Sequence, residues 1–148
     1  WSCLVGSEMC IRDRRKTLNQ SILSKKNLPN INFKIFDAVI LSEIDTNFEN
    51  ALKISSSSKI VCYTMGNKGV KIIINKEIKF FKTLDVIDVD ETGAGDVWGA
   101  SFIIFYYLMK KDLNESAALS NISASLSVTG ISDKKIPKYN EILKHYNA

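Results

Sequence analysis

The sequence predicts an α/β domain in which a sheet is covered by helices, and three observations carry that prediction. Residues 38–41 (AVIL) form a short continuous apolar run, the mark of a strand buried on both faces. A second strand pattern, KIVCYTM, follows at 59–65, and GVKIII and EIKFF then flank Asn75 and Lys76 as the arms of a hairpin. After the hairpin come mainly helical patterns, so the order is strand, helix, strand, hairpin, helices.

Residues 17–34 give mixed signals, with Pro29 and three asparagines placing a loop near 27–32. After the first strand, Asp45 and Thr46 are the N-cap candidates for a helix carrying Phe48, Ala51, Leu52 and Ile54, which the serines at 55–58 end. The second strand stops at Gly66. A helix follows the glycine turn at 93–95 and runs to about Lys110. Asn114 is expected to cap the next helix, through about Val128, with Ala117, Ala118, Leu119, Ile122, Ala124 and Leu126 on it. Pro137 is expected to open a last amphipathic helix with Tyr139, Ile142, Leu143 and Tyr146.

A chain of 148 residues suffices for one domain with a real core. All three arginines and two of the three cysteines lie in the opening WSCLVGSEMCIRDRR, and lysine alone serves as the strong base from Lys16 on. Residues 1–15 are therefore set apart as a non-native or disordered segment, and 16–148 are taken as the domain portion. The net charge is +4, of which Arg12, Arg14, Arg15 and Lys16 against Glu8 and Asp13 supply +2. No basic stripe with interleaved aromatics remains, so nucleic acid is not an expected partner. Cys62 stands alone inside an apolar run, which offers neither a disulfide framework nor a metal site and fits a cytoplasmic protein. Residues 97–109 carry no charge, yet thirteen residues of helix reach only about 20 Å against the roughly 30 Å hydrocarbon layer. They predict a buried helix and no membrane partner.

Chemistry concentrates in DETGAGDVWGASF at 90–102. A helix start leaves backbone N–H groups without acceptors and carries about half a positive charge, and Gly93, Ala94 and Gly95 let an anion approach that backbone. Asp96 beside such an anion hole is a natural general base: it can take the proton of an attacking hydroxyl while the amides hold charge on a moving phosphoryl group. On spacing alone, helix capping by Asp96 and a plain glycine turn explain the same residues equally well.

T-G-A-G-D at 92–96, with Asp90 before it, resembles the second signature of the PfkB-type carbohydrate kinases of the ribokinase-like superfamily, whose consensus is D-T-x-G-A-G-D. Asp90, Thr92, Gly93, Ala94, Gly95 and Asp96 match, and Glu91 occupies a threonine-or-variable place. YTMGNKGV is similar to the family's T-x-G-x-x-G strand and loop, with Thr64, Gly66 and Gly69 matching. VILSEIDT occupies the place of a strand followed by N-x-x-E, with Ser42 for the asparagine and Asp45 for the glutamate. LSNISASLSVTG resembles the family helix beside the adenine, with Asn121, Ala124 and Gly130 matching.

The resemblance covers residues 35–140 and implies the C-terminal, nucleotide-binding portion of a ribokinase-like three-layer αβα sandwich. It implies Asp96 as catalytic base, Gly93 to Gly95 as the anion hole, and Thr64, Gly66, Gly69, Thr92 and Asn121 as nucleotide contacts. Asp45 is implied as a water-mediated magnesium ligand, although Asp45 as a helix N-cap explains that residue equally well. The expected cofactors are ATP and Mg2+, with a monovalent cation in some members. The expected partner is a small sugar, polyol or nucleoside, and full-length family members often pair as homodimers through a lid. A non-catalytic nucleotide-binding relative and an inactive truncated product are the alternatives. Neither GxxxxGK[ST] nor GxGxxG is present, which excludes a P-loop and gives no sign of a dinucleotide fold. His145, the single histidine, is expected at the surface or in packing.

Overall fold

The computed structural model describes residues 3–5, 32–87, 89–130 and 136–148. The loop expected near 27–32 lies outside the described residues except for Asn32. Five strands form one sheet in chain order: β1 Cys3–Val5, β2 Ala38–Ser42, β3 Ile60–Thr64, β4 Val70–Ile74 and β5 Glu77–Phe81. β1, β2 and β3 are parallel, with Cys3 opposite Ala38 and Ala38 opposite Ile60. Composition set residues 1–15 apart, and the three of them that are described complete the sheet edge. Composition speaks of origin, whereas pairing asks only for a short extended run along the edge of β2.

The chain divides into two units, Trp1–Gly66 with Lys71–Phe80, and Asn67–Val70 with Phe81–Ala148. In the first, Ala38 to Leu41 and Ile60 to Tyr63 are buried without alternation, as strands covered on both faces require. Helix α1, Phe48–Ser55, lays Ala51 and Ile54 on a core made with Phe33, Val39, Leu41, Val61, Tyr63 and Ile73. Each valine, leucine or isoleucine among them contributes about 1.5–3 kcal/mol on burial. Leu52 faces outward, because the buried stripe of this short helix is narrow.

The N-cap of α1 is Asn47, whose side chain accepts the Asn50 N–H, and not Asp45 or Thr46. Both earlier residues are engaged elsewhere: Asp45 closes a turn on Ser42, and the Thr46 hydroxyl accepts the buried Asn50 amide. At the far end Ser55 and Ser57 return their hydroxyls to the Leu52 and Ile54 carbonyls, which stops the helix as expected. The hairpin turns on Asn75 and Lys76, both with positive φ (51° and 67°), the twist a two-residue connection needs.

In the second unit, helix α2 (Ala94–Phe102) continues as a π-helix over Ile103–Leu108. The sequence predicts one buried helix here, but only Trp98, Gly99, Phe102 and Phe105 are buried, while Ile104 (45%) and Leu108 (62%) are exposed. Uncharged composition does not show which face is covered. No helix among the described residues is long and apolar enough to cross a membrane.

Helix α3, Leu113–Val128, is capped by Asp112, whose carboxylate accepts the Asn114 and Glu115 N–H groups. Asn114 therefore donates to the cap instead of forming it. Serines let α3 be buried on nearly every side: Ser120 and Ser123 return their hydroxyls to the Ser116 and Leu119 carbonyls one turn back. Leu119 and Ile122 form a core with Phe105 and with Ile142 of helix α4, Tyr139–Tyr146. Pro137 precedes the Lys138 N-cap of α4 and does not occupy its first turn.

Candidate functional site

The glycine turn is held before it begins. The Val128 carbonyl, at the end of α3, accepts both the Val89 and the Asp90 N–H (2.9 and 3.0 Å). The Asp90 Oδ1 then accepts the Thr92 N–H at 2.9 Å, and Glu91 O accepts the Ala94 N–H at 3.2 Å. Gly93 serves as the N-cap of α2 at φ 83° and ψ 0°, a left-handed conformation that favours glycine. The first α-helical bond runs from the Val97 N–H to Gly93 O. An α-helix supplies no acceptor for the N–H groups of its own first turn, where Gly95 and Asp96 lie.

A Cβ placed on Gly93 or Gly95 would meet nothing within 4 Å, so a ligand atom has room against this backbone. Asp96 is exposed, in the first turn, where the helix dipole favours its charge. The capping alternative is corrected to this extent: the N-cap is Gly93, which has no side chain.

Asn121 is buried. Its side chain is 4% exposed, its Oδ1 accepts the Trp98 Nε1–H at 2.7 Å, and its Nδ2 donates to the Phe81 and Lys82 carbonyls at 3.2 and 2.9 Å. The Asn121 amide is thus bonded on both sides inside the protein. One turn on, the Ser125 hydroxyl lies 2.9 Å from that of Thr83 and donates to Leu84 O. Trp98, Ser125 and the Val128 carbonyl were not singled out from the sequence. The partners of a buried serine or a helix-end carbonyl leave no mark in the chain.

Gly69 is closely packed. Its φ is 109°, and a Cβ there would lie 2.2 Å from the Phe81 carbonyl oxygen. Gly66 is exposed, with nothing within 4 Å of a Cβ, and keeps the open backbone the nucleotide reading asks for.

In the first unit, Asp45 is half-buried and its Oδ2 accepts the Ser42 N–H at 2.9 Å and the Ser42 hydroxyl at 2.6 Å. Ser42 O in return accepts the Asp45 and Thr46 N–H groups. The Thr64 hydroxyl donates to Leu41 O at 3.3 Å, and Thr64 O accepts the Glu43 N–H at 3.0 Å, so the end of β3 fixes the start of this turn. The buried Tyr63 donates its hydroxyl to Thr46 O at 3.0 Å. Burial raises its pKa, and the charges of Glu43 and Asp45 raise it further.

Among the described residues no three His, Cys, Asp or Glu side chains gather into a metal cluster. A single carboxylate oriented by its own turn fits a magnesium ion that keeps its water and sits on phosphates. His145 lines an open cavity of about 330 Å³ with Leu126, Thr129, Pro137, Glu141 and Lys144. None of the expected site residues borders it.

Residues 16–137 match the profile of the pfkB family carbohydrate kinases. Over 117 residues the chain is 29% identical to an uncharacterized sugar kinase of Pyrococcus horikoshii, spanning 78% of this chain and 38% of that protein. The same archaeal protein, solved in complex with ATP, superposes with a TM-score of 0.62 at 28% identity, over 76% of this chain and 38% of the other. A ribokinase of Thermotoga maritima superposes with a TM-score of 0.72 at 26% identity, over 78% and 44% of the two chains. An E. coli ribokinase II candidate, solved with ATP and magnesium, shares the fold at 22% identity and a TM-score of 0.69, over 78% and 40%. The chain thus spans about two fifths of the length of these relatives.

Proposed function

The chain belongs to the pfkB family of carbohydrate kinases, with a ribokinase-like fold, and from that premise we propose that it supplies the phosphoryl-transfer half of an ATP-dependent small-molecule kinase. The acceptor is a hydroxyl of a sugar, polyol or nucleoside. One observation carries the reading: left-handed Gly93 opens α2 with Asp96 in its first turn and open space beside the Gly93 and Gly95 backbone. Small-residue backbone, helix dipole and an exposed carboxylate occur together there, the combination that transfer from a phosphate anion to a hydroxyl requires.

In this reading Asp96 takes the proton from the acceptor hydroxyl, and the first-turn amides of α2 face the charge that develops on the transferred group. Thr64, Gly66 and Thr92 line the nucleotide. Asp45, oriented by Ser42, would hold magnesium through water. ATP, when bound, supplies the phosphoryl group, and magnesium neutralises its charge. Residues 16–148 act as the C-terminal portion of such a kinase.

The test is product formation from ATP and a panel of sugars, polyols and nucleosides, with Asp96→Asn alongside. Loss of at least a hundredfold in turnover with ATP affinity held within threefold is the expected result. Near-normal turnover in that variant would remove Asp96 as the base. Nucleotide binding without transfer on every acceptor would favour a non-catalytic relative.

A further inference from the structure

The segment that delivers the glycine turn has little structure of its own. Residues 82–87 carry no regular secondary structure, and Val89 and Asp90 give both their amides to one carbonyl. A single face of α3 grips this connector: the Asn121 amide on Phe81 O and Lys82 O, the Ser125 hydroxyl on Leu84 O and beside Thr83, and Val128 O on Val89 and Asp90. Positions 121, 125 and 128 are spaced four and three residues apart, so they share that face. Asn121 is also gripped from α2 by the Trp98 Nε1–H, two residues beyond Asp96.

An asparagine amide can point either way, and a donor on its oxygen decides which. With Trp98 donating to Oδ1, the Nδ2 hydrogens must face the two carbonyls. We infer that Trp98 and Asn121 form a positioning pair that sets the register of connector 81–90 and thereby the placement of the Gly93–Asp96 turn. Asn121 is then a positioning residue. The catalytic consequence rests on the kinase reading, whereas the register claim does not.

The test uses the full chain with Trp98→Phe, Asn121→Asp and Asn121→Ala. Asn121→Asp keeps an acceptor for Trp98 but sets carboxylate oxygens against two carbonyls, and Trp98→Phe keeps one aromatic ring at the site while losing the N–H together with the second ring of the indole. Amide hydrogen exchange is followed at Val89 and Asp90 and, as reference, at residues 116–120 inside α3. Both Asn121 variants are expected to exchange at least tenfold faster at Val89 and Asp90, and Trp98→Phe at least twofold faster, with the α3 reference within threefold of wild type. Unchanged exchange at Val89 and Asp90, or equal acceleration throughout α3, overturns the inference. Where the wild type turns over, Asn121→Asp is expected to lower kcat at least tenfold with KM for ATP within threefold. A raised KM at constant kcat makes Asn121 a ligand contact and overturns the proposal. Absence of wild-type turnover removes the kinase reading alone and leaves exchange to decide the register claim.

Discussion

The Asp45 carboxylate closes a two-way turn with Ser42: its Oδ2 accepts both the N–H and the hydroxyl of Ser42, and Ser42 O accepts the Asp45 N–H in return. The serine orients the acid, since any rotation of Asp45 breaks two bonds at once. Ser42→Ala keeps the N–H bond and loses the hydroxyl bond, at a cost of about 1 kcal/mol. If the proposed kinase activity holds, its half-saturating magnesium concentration should rise several-fold in this variant, read from a magnesium titration. An unchanged titration would separate Asp45 from the metal.

Gly93→Ala and Gly95→Ala should part company. Gly93 has a φ of 83°, so alanine there is strained by about 1–2 kcal/mol and the melting temperature falls. Gly95 lies inside a helix with space beside it, so alanine should leave stability unchanged or improve it by up to about 1 kcal/mol. The same methyl fills the space proposed for a phosphate, and ATP affinity should drop at least tenfold. Calorimetry on both variants checks the pair, and a Gly95→Ala protein that binds ATP normally counts against an anion site at this turn.

At Gly69 no relaxation of a flexible side chain can help, because the atom in the way is the Phe81 carbonyl oxygen, 2.2 Å from a built Cβ. Gly69→Ala should cost about 3 kcal/mol or more through overpacking and a positive φ together. Urea unfolding measures it. A loss below about 1 kcal/mol would show that the strand end moves freely.

Alkaline pH probes the turn from the other side. The Tyr63 pKa is raised from 10.0 by burial and by Glu43 and Asp45, so the folded state holds its phenol proton after the unfolded chain has lost it. Stability is therefore full below about pH 10 and falls as pH climbs from there through the raised folded value. Tyr63→Phe should flatten that decline, as followed by thermal melts between pH 8 and pH 11. An equal slope in the variant would assign the decline to other groups.

Much of the fold was legible because local chemistry repeats itself in the chain. The apolar run 38–41 reads as a strand covered on both faces and 59–65 as a second strand, and the β-rich runs on either side of Asn75–Lys76 read as a hairpin, as the structure has them. Caps were less legible. Asp45, Thr46 and Asn114 all have the right side chains, yet the helices chose Asn47 and Asp112. A cap depends on where the preceding turn leaves the backbone, and Asp45 and Thr46 were already occupied by Ser42 and Asn50.

The sequence by itself determined the strand and helix order, the family, and the glycine turn with its following acid, because each rests on residue type at short spacing. Tertiary structure alone decided which groups Asn121 and Gly69 meet and which face of α2 is covered. Asn121 lies 39 residues from Lys82 and 23 from Trp98, and a hydrogen bond across such separations exists only once the chain has brought both ends together. Gly69 likewise answers to a carbonyl at Phe81. Side-chain chemistry limits what a residue can do, and only packing selects which of those things it does.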